Sequence, residues 1–210
     1  MRNALLTSLL AVSPLTTAQA QDAIREYRPE VIITSPRVNG IAAQFLVEQH
    51  LRTRGLAPDE RIIGLGVSTS TFLHVRAGFE VRQVQAPGAY EHRYIPTVYS
   101  TTPLGGRFES RNRTRVEVRD MAGAWSERWQ HRSAIGRNVE IAGLTGFAYG
   151  QFDLSYDSRY RSLNRTEKSL GVRVPITSTS SIDTFFTHQD DTRRVPSSVL
   201  IGGALLRVAL

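Results

Sequence analysis

Every odd position from Arg107 to Arg119 is charged: Arg107, Glu109, Arg111, Arg113, Arg115, Glu117 and Arg119. The even positions between them are Phe108, Ser110, Asn112, Thr114, Val116 and Val118. A period of two belongs to the pleated strand, whose successive side chains leave opposite faces. A helix would scatter these charges round its circumference. This stretch therefore predicts a strand with one face built of guanidinium and carboxylate groups.

The same period recurs along the chain. Leu73, Val75, Ala77, Phe79 and Val81 share one parity, and His74, Arg76, Gly78, Glu80 and Arg82 share the other. Leu170, Val172, Val174 and Ile176 alternate with Ser169, Gly171, Arg173 and Pro175. At the end, Leu200, Ala204, Leu206, Val208 and Leu210 oppose Arg207. Turn chemistry falls at Ala57-Pro58-Asp59, Ala86-Pro87-Gly88, Pro103-Leu104-Gly105-Gly106, Asp120-Met121-Ala122-Gly123, Gly136-Arg137-Asn138 and Thr177 to Ser181. Cutting there leaves runs near 43–53, 60–68, 71–84, 90–100, 107–119, 123–134, 138–149, 165–176, 181–190 and 198–210.

Most of these runs exceed the roughly 5–6 residues of an ordinary soluble strand. They match the about 9–11 residues of a tilted strand that crosses a bilayer. Residues 41–54 also admit a helix, because Ile41, Phe45 and Leu46 have helical spacing. Residues 151–162 read either as another hairpin arm, with Phe152, Leu154, Tyr156 and Tyr160 on one parity, or as a long outer loop. Residues 21–40 carry proline and glycine breakers around a short apolar run, Val31 to Ile33, and read as an irregular lead-in.

The first twenty residues read as a secretory signal peptide. Met1-Arg2-Asn3 is a basic head, Ala4 to Val12 is apolar, Pro14 ends the run, and Ala18-Gln19-Ala20 is a small-x-small cleavage site. Export and the absence of cysteine exclude disulfides, thiolate metal sites and cysteine nucleophiles. The net charge is +7, and all but Lys168 of the 26 basic residues are arginine. The basic residues alternate with acids along the chain, and the chain is exported, so nucleic acid is not an expected partner.

Lipid offers no hydrogen bonds, so a sheet that spans a membrane closes on itself, with apolar side chains outside and charge tolerated within. The expected fold is an all-β, antiparallel transmembrane β-barrel of about ten strands (range 8–12) over residues 41–210. Its lumen ladder consists of Glu80, Arg82, Arg107, Glu109, Arg111, Arg113, Arg115, Glu117, Arg119 and Arg173. Trp125, Trp129, Tyr90, Tyr94, Tyr99, Phe147 and Tyr149 are candidates for the aromatic girdles. A barrel this narrow has room for side chains or one small ligand, so no wide aqueous pore is expected.

A second reading rests on His131 and Ser133, which share a parity, with Glu140 beyond them. A histidine that activates a serine, oriented by a third group, is the arrangement of acyl hydrolysis. Barrel-wall lipid hydrolases use such a pair. His92, Asp190 and Asp191 show no paired spacing for a metal, and no metal or cofactor is expected.

The ordered set of charged runs resembles a family of proteobacterial outer-membrane β-barrels of unknown function. The resemblance lies in Glu91-His92-Arg93, in Arg113 to Arg119, in Arg128 and Arg132, and in Asn164-Arg165 running on to Gly171. It spans roughly residues 43–190 and implies an outer-membrane barrel without implying an activity. The chain departs from it at His131 and Ser133, where more arginine is expected, and at Leu210, where a terminal aromatic is usual. The expected role is structural, or porin-like for small solutes, and not enzymatic. Outer-membrane lipid, lipopolysaccharide and the barrel-assembly machinery are the expected partners. The alternative from another class is a soluble periplasmic barrel that binds a ligand.

Overall fold

The computed structural model describes residues 24–52, 58–141, 143–193 and 197–210; the signal-peptide segment lies outside them. The described residues form eleven strands: β1 (Ile24–Thr34), β2 (Ile41–Arg52), β3 (Pro58–Thr69), β4 (Val75–Ala86), β5 (Ala89–Gly105), β6 (Phe108–Met121), β7 (Ala124–Ile141), β8 (Leu144–Asp157), β9 (Ser162–Pro175), β10 (Ser180–Asp191) and β11 (Ser198–Ala209). Each strand pairs antiparallel with the next, and β11 pairs in parallel with β1, which closes the barrel. The odd count dictates the parallel seam, because the first and eleventh strands of an up-and-down sheet run the same way. Strands begin and end at two rims, called here the Ile24 end and the Thr34 end.

The alternation is inside out relative to a water-soluble protein. Leu65 is 65% exposed and Leu170 72% on the outer wall, while Glu117 is 1% exposed and Asp157 0% within. Register carries this pattern round the ring. Arg82 lies beside Arg93, Arg93 beside Arg119, and Glu117 beside Arg128, all on the inner face. Val81 and Tyr94, Val116 and Trp129, and His131 and Leu154 form the outer pairs. The inner face also carries a small apolar cluster of Leu46, Ile62 and Val84, with Ile32 against it.

Three sequence expectations are corrected. Residues 24–34, expected in an irregular lead-in, form β1 within the barrel wall. Glu26, Arg28 and Glu30 face inward and Tyr27, Val31 and Ile33 outward, so Pro29 interrupts this strand without ending it. Neither Arg28 nor Pro29 has a partner on β2, as befits a residue without an N–H. Second, Gly136-Arg137-Asn138 is no turn; β7 runs through it for 18 residues. Third, β4 starts at Val75, which leaves Leu73 in the preceding hairpin at a positive φ of 46°. Of the two open segments, residues 41–52 are strand and residues 151–157 complete β8.

Gly136 serves packing. A Cβ there would meet the ring of Phe147 and the carbonyl of Ala148. The same device recurs where the ring of Tyr149 covers Gly171 and that of Phe185 covers Gly203, each its direct cross-strand partner. Gly203→Val should therefore lower stability by about 1–3 kcal/mol, read as a fall in the urea midpoint. On a Phe185→Ala background the same change should lose clearly less; equal losses on both backgrounds would contradict ring-on-glycine packing.

Candidate functional site

Charged side chains on the inner face find partners chiefly along their own strand and across to neighbours. A guanidinium two residues from a carboxylate on one face of a strand reaches it easily. Hence Arg82 donates to Glu80 (2.6 Å), Arg93 to Glu91 (3.0 Å) and Arg28 to Glu26 (2.7 Å), and Arg115 pairs with Glu117 at 2.8 Å. Arg111 pairs with Glu109 in the same way. Across strands, Asp157 accepts from Arg119 (2.6 Å), from Arg128 (3.3 Å) and from the backbone N–H of Arg159 (3.0 Å). Asp183 accepts from Arg173 (2.9 Å) and from the Tyr149 hydroxyl (2.8 Å). Charges held this way are paired and hydrogen-bonded, the condition under which burial is tolerated.

These side chains leave a cavity of about 680 Å³ inside the barrel. Its lining comes from the Ile24 half of the strands and reaches inward as far as Glu30, Arg82, Arg113, Arg132 and Asp153. Twelve arginines face eleven carboxylates there, so the net charge is near zero and the arrangement matters more than the sum. The acids Glu26, Glu30, Glu48, Asp59 and Glu60 come from β1–β3, while Arg113, Arg115, Arg119, Arg128 and Arg132 come from β6 and β7. In an eleven-strand ring β2 and β7 lie half the circumference apart. One wall of the cavity is therefore mainly acidic and the opposite wall mainly basic.

Toward the Thr34 end the lumen changes character. Tyr99, Phe147, Tyr149 and Phe185 point inward there, and none of them lines the cavity. Arg111 stacks on the Phe147 ring at 3.7 Å and Arg76 on Tyr99 at 4.4 Å. Tyr99, Phe147 and Tyr149 are thus a layer of the lumen and not girdle residues, because each sits on the charged parity of its strand. The other candidates are outward: Tyr90, Tyr94, Trp125 and Trp129 are exposed, with Tyr94 stacked on Trp125.

Of the sequence-derived ladder, Glu80, Arg82, Glu109, Arg111, Arg113, Arg115, Glu117, Arg119 and Arg173 all lie on the inner face. Arg107 does not. It is exposed in the β5–β6 turn, because Gly105 and Phe108 are the last paired residues and Gly106-Arg107 joins them. Sequence reasoning passed over Glu30, Glu48, Asp153 and Asp157. Their signal was present in the alternation of Glu26, Arg28 and Glu30, and in Asp153, Ser155 and Asp157 opposite Phe152, Leu154 and Tyr156.

His131 and Ser133 do meet, on the outer wall. The imidazole Nε2 is 3.1 Å from the Ser133 hydroxyl and Nδ1 is 2.9 Å from the Thr114 hydroxyl. Glu140 belongs to the other face, at the Thr34 rim, where it accepts from Thr145. Its even position sends it inward while odd His131 and Ser133 go outward, so the expected three-residue grouping does not form. Thr114, His131 and Ser133, with Asn112 donating to Ser110 (3.2 Å), make a polar seam whose members satisfy one another. Among the described residues no group of three or more His, Asp or Glu side chains is placed to hold a metal ion.

No family model and no curated protein matches the chain. Among solved structures, an anion-selective porin from Comamonas acidovorans is similar, at 12% identity and a TM-score of 0.44. The similarity covers 83% of this chain and 54% of the porin, so the chain spans about half the length of that protein.

Asp157 is the acceptor on which buried Arg119 and half-buried Arg128 converge. Asp157→Asn should cost about 3–5 kcal/mol, because it strands Arg119 and Arg128 without their shared counter-charge. The double change Arg119→Met with Asp157→Leu should recover a large part of that loss in denaturant unfolding. A loss below about 1 kcal/mol for Asp157→Asn, the level of an exposed pair, would contradict the network.

Proposed function

We propose that this chain is an outer-membrane barrel whose charged interior admits small polar solutes, without chemistry of its own. The observation that carries the reading is the inside-out wall: large apolar side chains outside, paired charges inside. Strands of 11 to 18 residues are long enough for a tilted crossing. Tyr27, Tyr90, Tyr94, Trp125, Trp129 and Tyr156 all face outward in the Ile24 half of their strands. A one-sided belt of this kind suits a water–lipid boundary. Outer-membrane lipid and lipopolysaccharide are then the surroundings of the wall, and the barrel-assembly machinery the means of insertion.

The interior supports entry more than free flow. A solute from the Ile24 end meets the two charged walls and then the layer of Tyr99, Phe147, Tyr149 and Phe185. Passage beyond that layer needs those rings to move. The Thr114–His131–Ser133 seam has no catalytic part in this reading, since a threonine hydroxyl cannot stabilise an imidazolium as a carboxylate does. A soluble periplasmic barrel would leave the apolar wall in water, which the exposure of Ile63, Leu65, Val67 and Leu170 disfavours.

Fractionation separates the two locations. The barrel should require detergent for extraction and should migrate differently on gels before and after heating; release by osmotic shock would contradict the reading. Leu65→Arg should destabilise the protein refolded in phospholipid vesicles by about 2–4 kcal/mol, the range for arginine near a bilayer midplane; a neutral effect would mean that the wall is wet. In planar bilayers the conductance should be small, and the double change Phe147→Ala and Tyr149→Ala should raise it. An unchanged conductance in that variant would count against the ring layer as the barrier.

A further inference from the structure

Among the like-charged cross-strand pairs at the inner limit of the cavity, two stand on opposite walls. On β1 and β2, Glu30 and Glu48 are direct cross-strand partners. On β6 and β7, Arg113 and Arg132 are direct cross-strand partners. Like charges directly opposite one another destabilise a sheet, so each pair needs compensation from elsewhere. For two of the four residues it is on hand. Glu48 has His50 at 2.8 Å and Arg82 at 3.7 Å, and Arg132 donates to Asp153 at 2.7 Å.

Glu30 and Arg113 are the poorly compensated members. Glu30 makes no hydrogen bond and no ion pair among the described residues, and its side chain lines the cavity. Among the described residues Arg113 has a single ion pair, 3.7 Å to Asp153, whose two oxygens already accept from Arg132 and from Gln151 (2.8 Å). Its Nε is buried without an acceptor, a condition that is costly in itself. The charges that act on Glu30 are Glu48 on its own side and Arg82, Arg207 and Arg113. Arg82 is engaged by Glu80. β1 and β6 lie five strands apart in a ring of eleven, so Glu30 and Arg113 project toward each other across the lumen.

We propose that this floor binds a small zwitterion, with its carboxylate or other oxyanion on Arg113 and its ammonium on Glu30. The inference rests on the reading of the lumen as a solute site and names the solute class. A guanidinium fork whose ion pair is as long as 3.7 Å suits an oxyanion. A carboxylate with no hydrogen bond or ion pair among the described residues suits an ammonium. A ligand that carries both charges neutralises both walls at once, whereas a simple anion leaves Glu30 and a simple cation leaves Arg113 as before.

The test compares 4-aminobutyrate, butyrate and butylammonium, which share a chain length and differ in charge, on the refolded full barrel by titration calorimetry and thermal shift. The zwitterion should bind about tenfold or more tightly than either single-charge analogue and should raise the melting temperature most. Glu30→Gln and Arg113→Gln should each bring its affinity down to that of the analogues. Glu30→Gln removes an unpaired acid beside Glu48, so it is the variant expected to fold without loss. Equal binding of all three probes, or undiminished zwitterion binding by Glu30→Gln, would overturn the site. Loss of detergent-dependent extraction and heat-modifiable migration would instead overturn the barrel reading beneath it. A heat-modifiable barrel that admits solutes without preference for the zwitterion would overturn this inference alone.

Discussion

The parallel seam between β1 and β11 is the contact on which the rest of the structure depends. Ten residue pairs run along it, from Ile24 beside Leu200 to Thr34 beside Ala209. Without it the sheet would have two long edges whose N–H and C=O groups lack partners, a hazard in water and untenable in hydrocarbon. With it the sheet has an inside, and the charged parity of every strand converges on one confined space. The ion pairs of the lumen follow from closure: Arg28 on β1 reaches Gln189 on β10 (2.9 Å) and Glu167 on β9 (3.6 Å) only because the ring is shut.

Confinement then decides how the charges are arranged. Pairs two residues apart on one strand need no tertiary design, and they neutralise much of the wall locally. What local pairing leaves over is set by topology: acids gathered on β1–β3, arginines on β6 and β7, half a turn apart. The aromatic layer lies toward the Thr34 end, beyond the lining of the cavity. Its rings sit over glycines, and those of Phe147 and Tyr99 lie under guanidinium groups.

The alternation was legible from sequence because a period of two maps directly onto two faces, whatever the tertiary fold. That is why the inner position of Arg111 to Arg119 and the outer position of Val116, Val172 and Leu206 could be read from spacing. Three things were not legible, each for a physical reason. Gly136 looked like a turn because glycine serves both turns and close packing, and only the Phe147 ring tells them apart. Pro29 looked like a breaker because its missing N–H matters only where a neighbour needs it. The confrontation of Glu30 with Arg113 depends on the number of strands, which fixes what lies across the ring, and no local pattern carries that number.

The central claim is that hydrocarbon bathes the apolar parity and that the charged parity is enclosed. Spin labels at Val81, Val116, Val172 and Leu206, set against labels at the adjacent Arg82, Arg115, Arg173 and Arg207, test it in vesicles with oxygen and a water-soluble nickel chelate as relaxants. The account predicts oxygen-dominated relaxation at the first four positions and its reversal at the second four, a period of two in every strand sampled. Nickel-dominated relaxation at Val81, Val116, Val172 and Leu206 would contradict it.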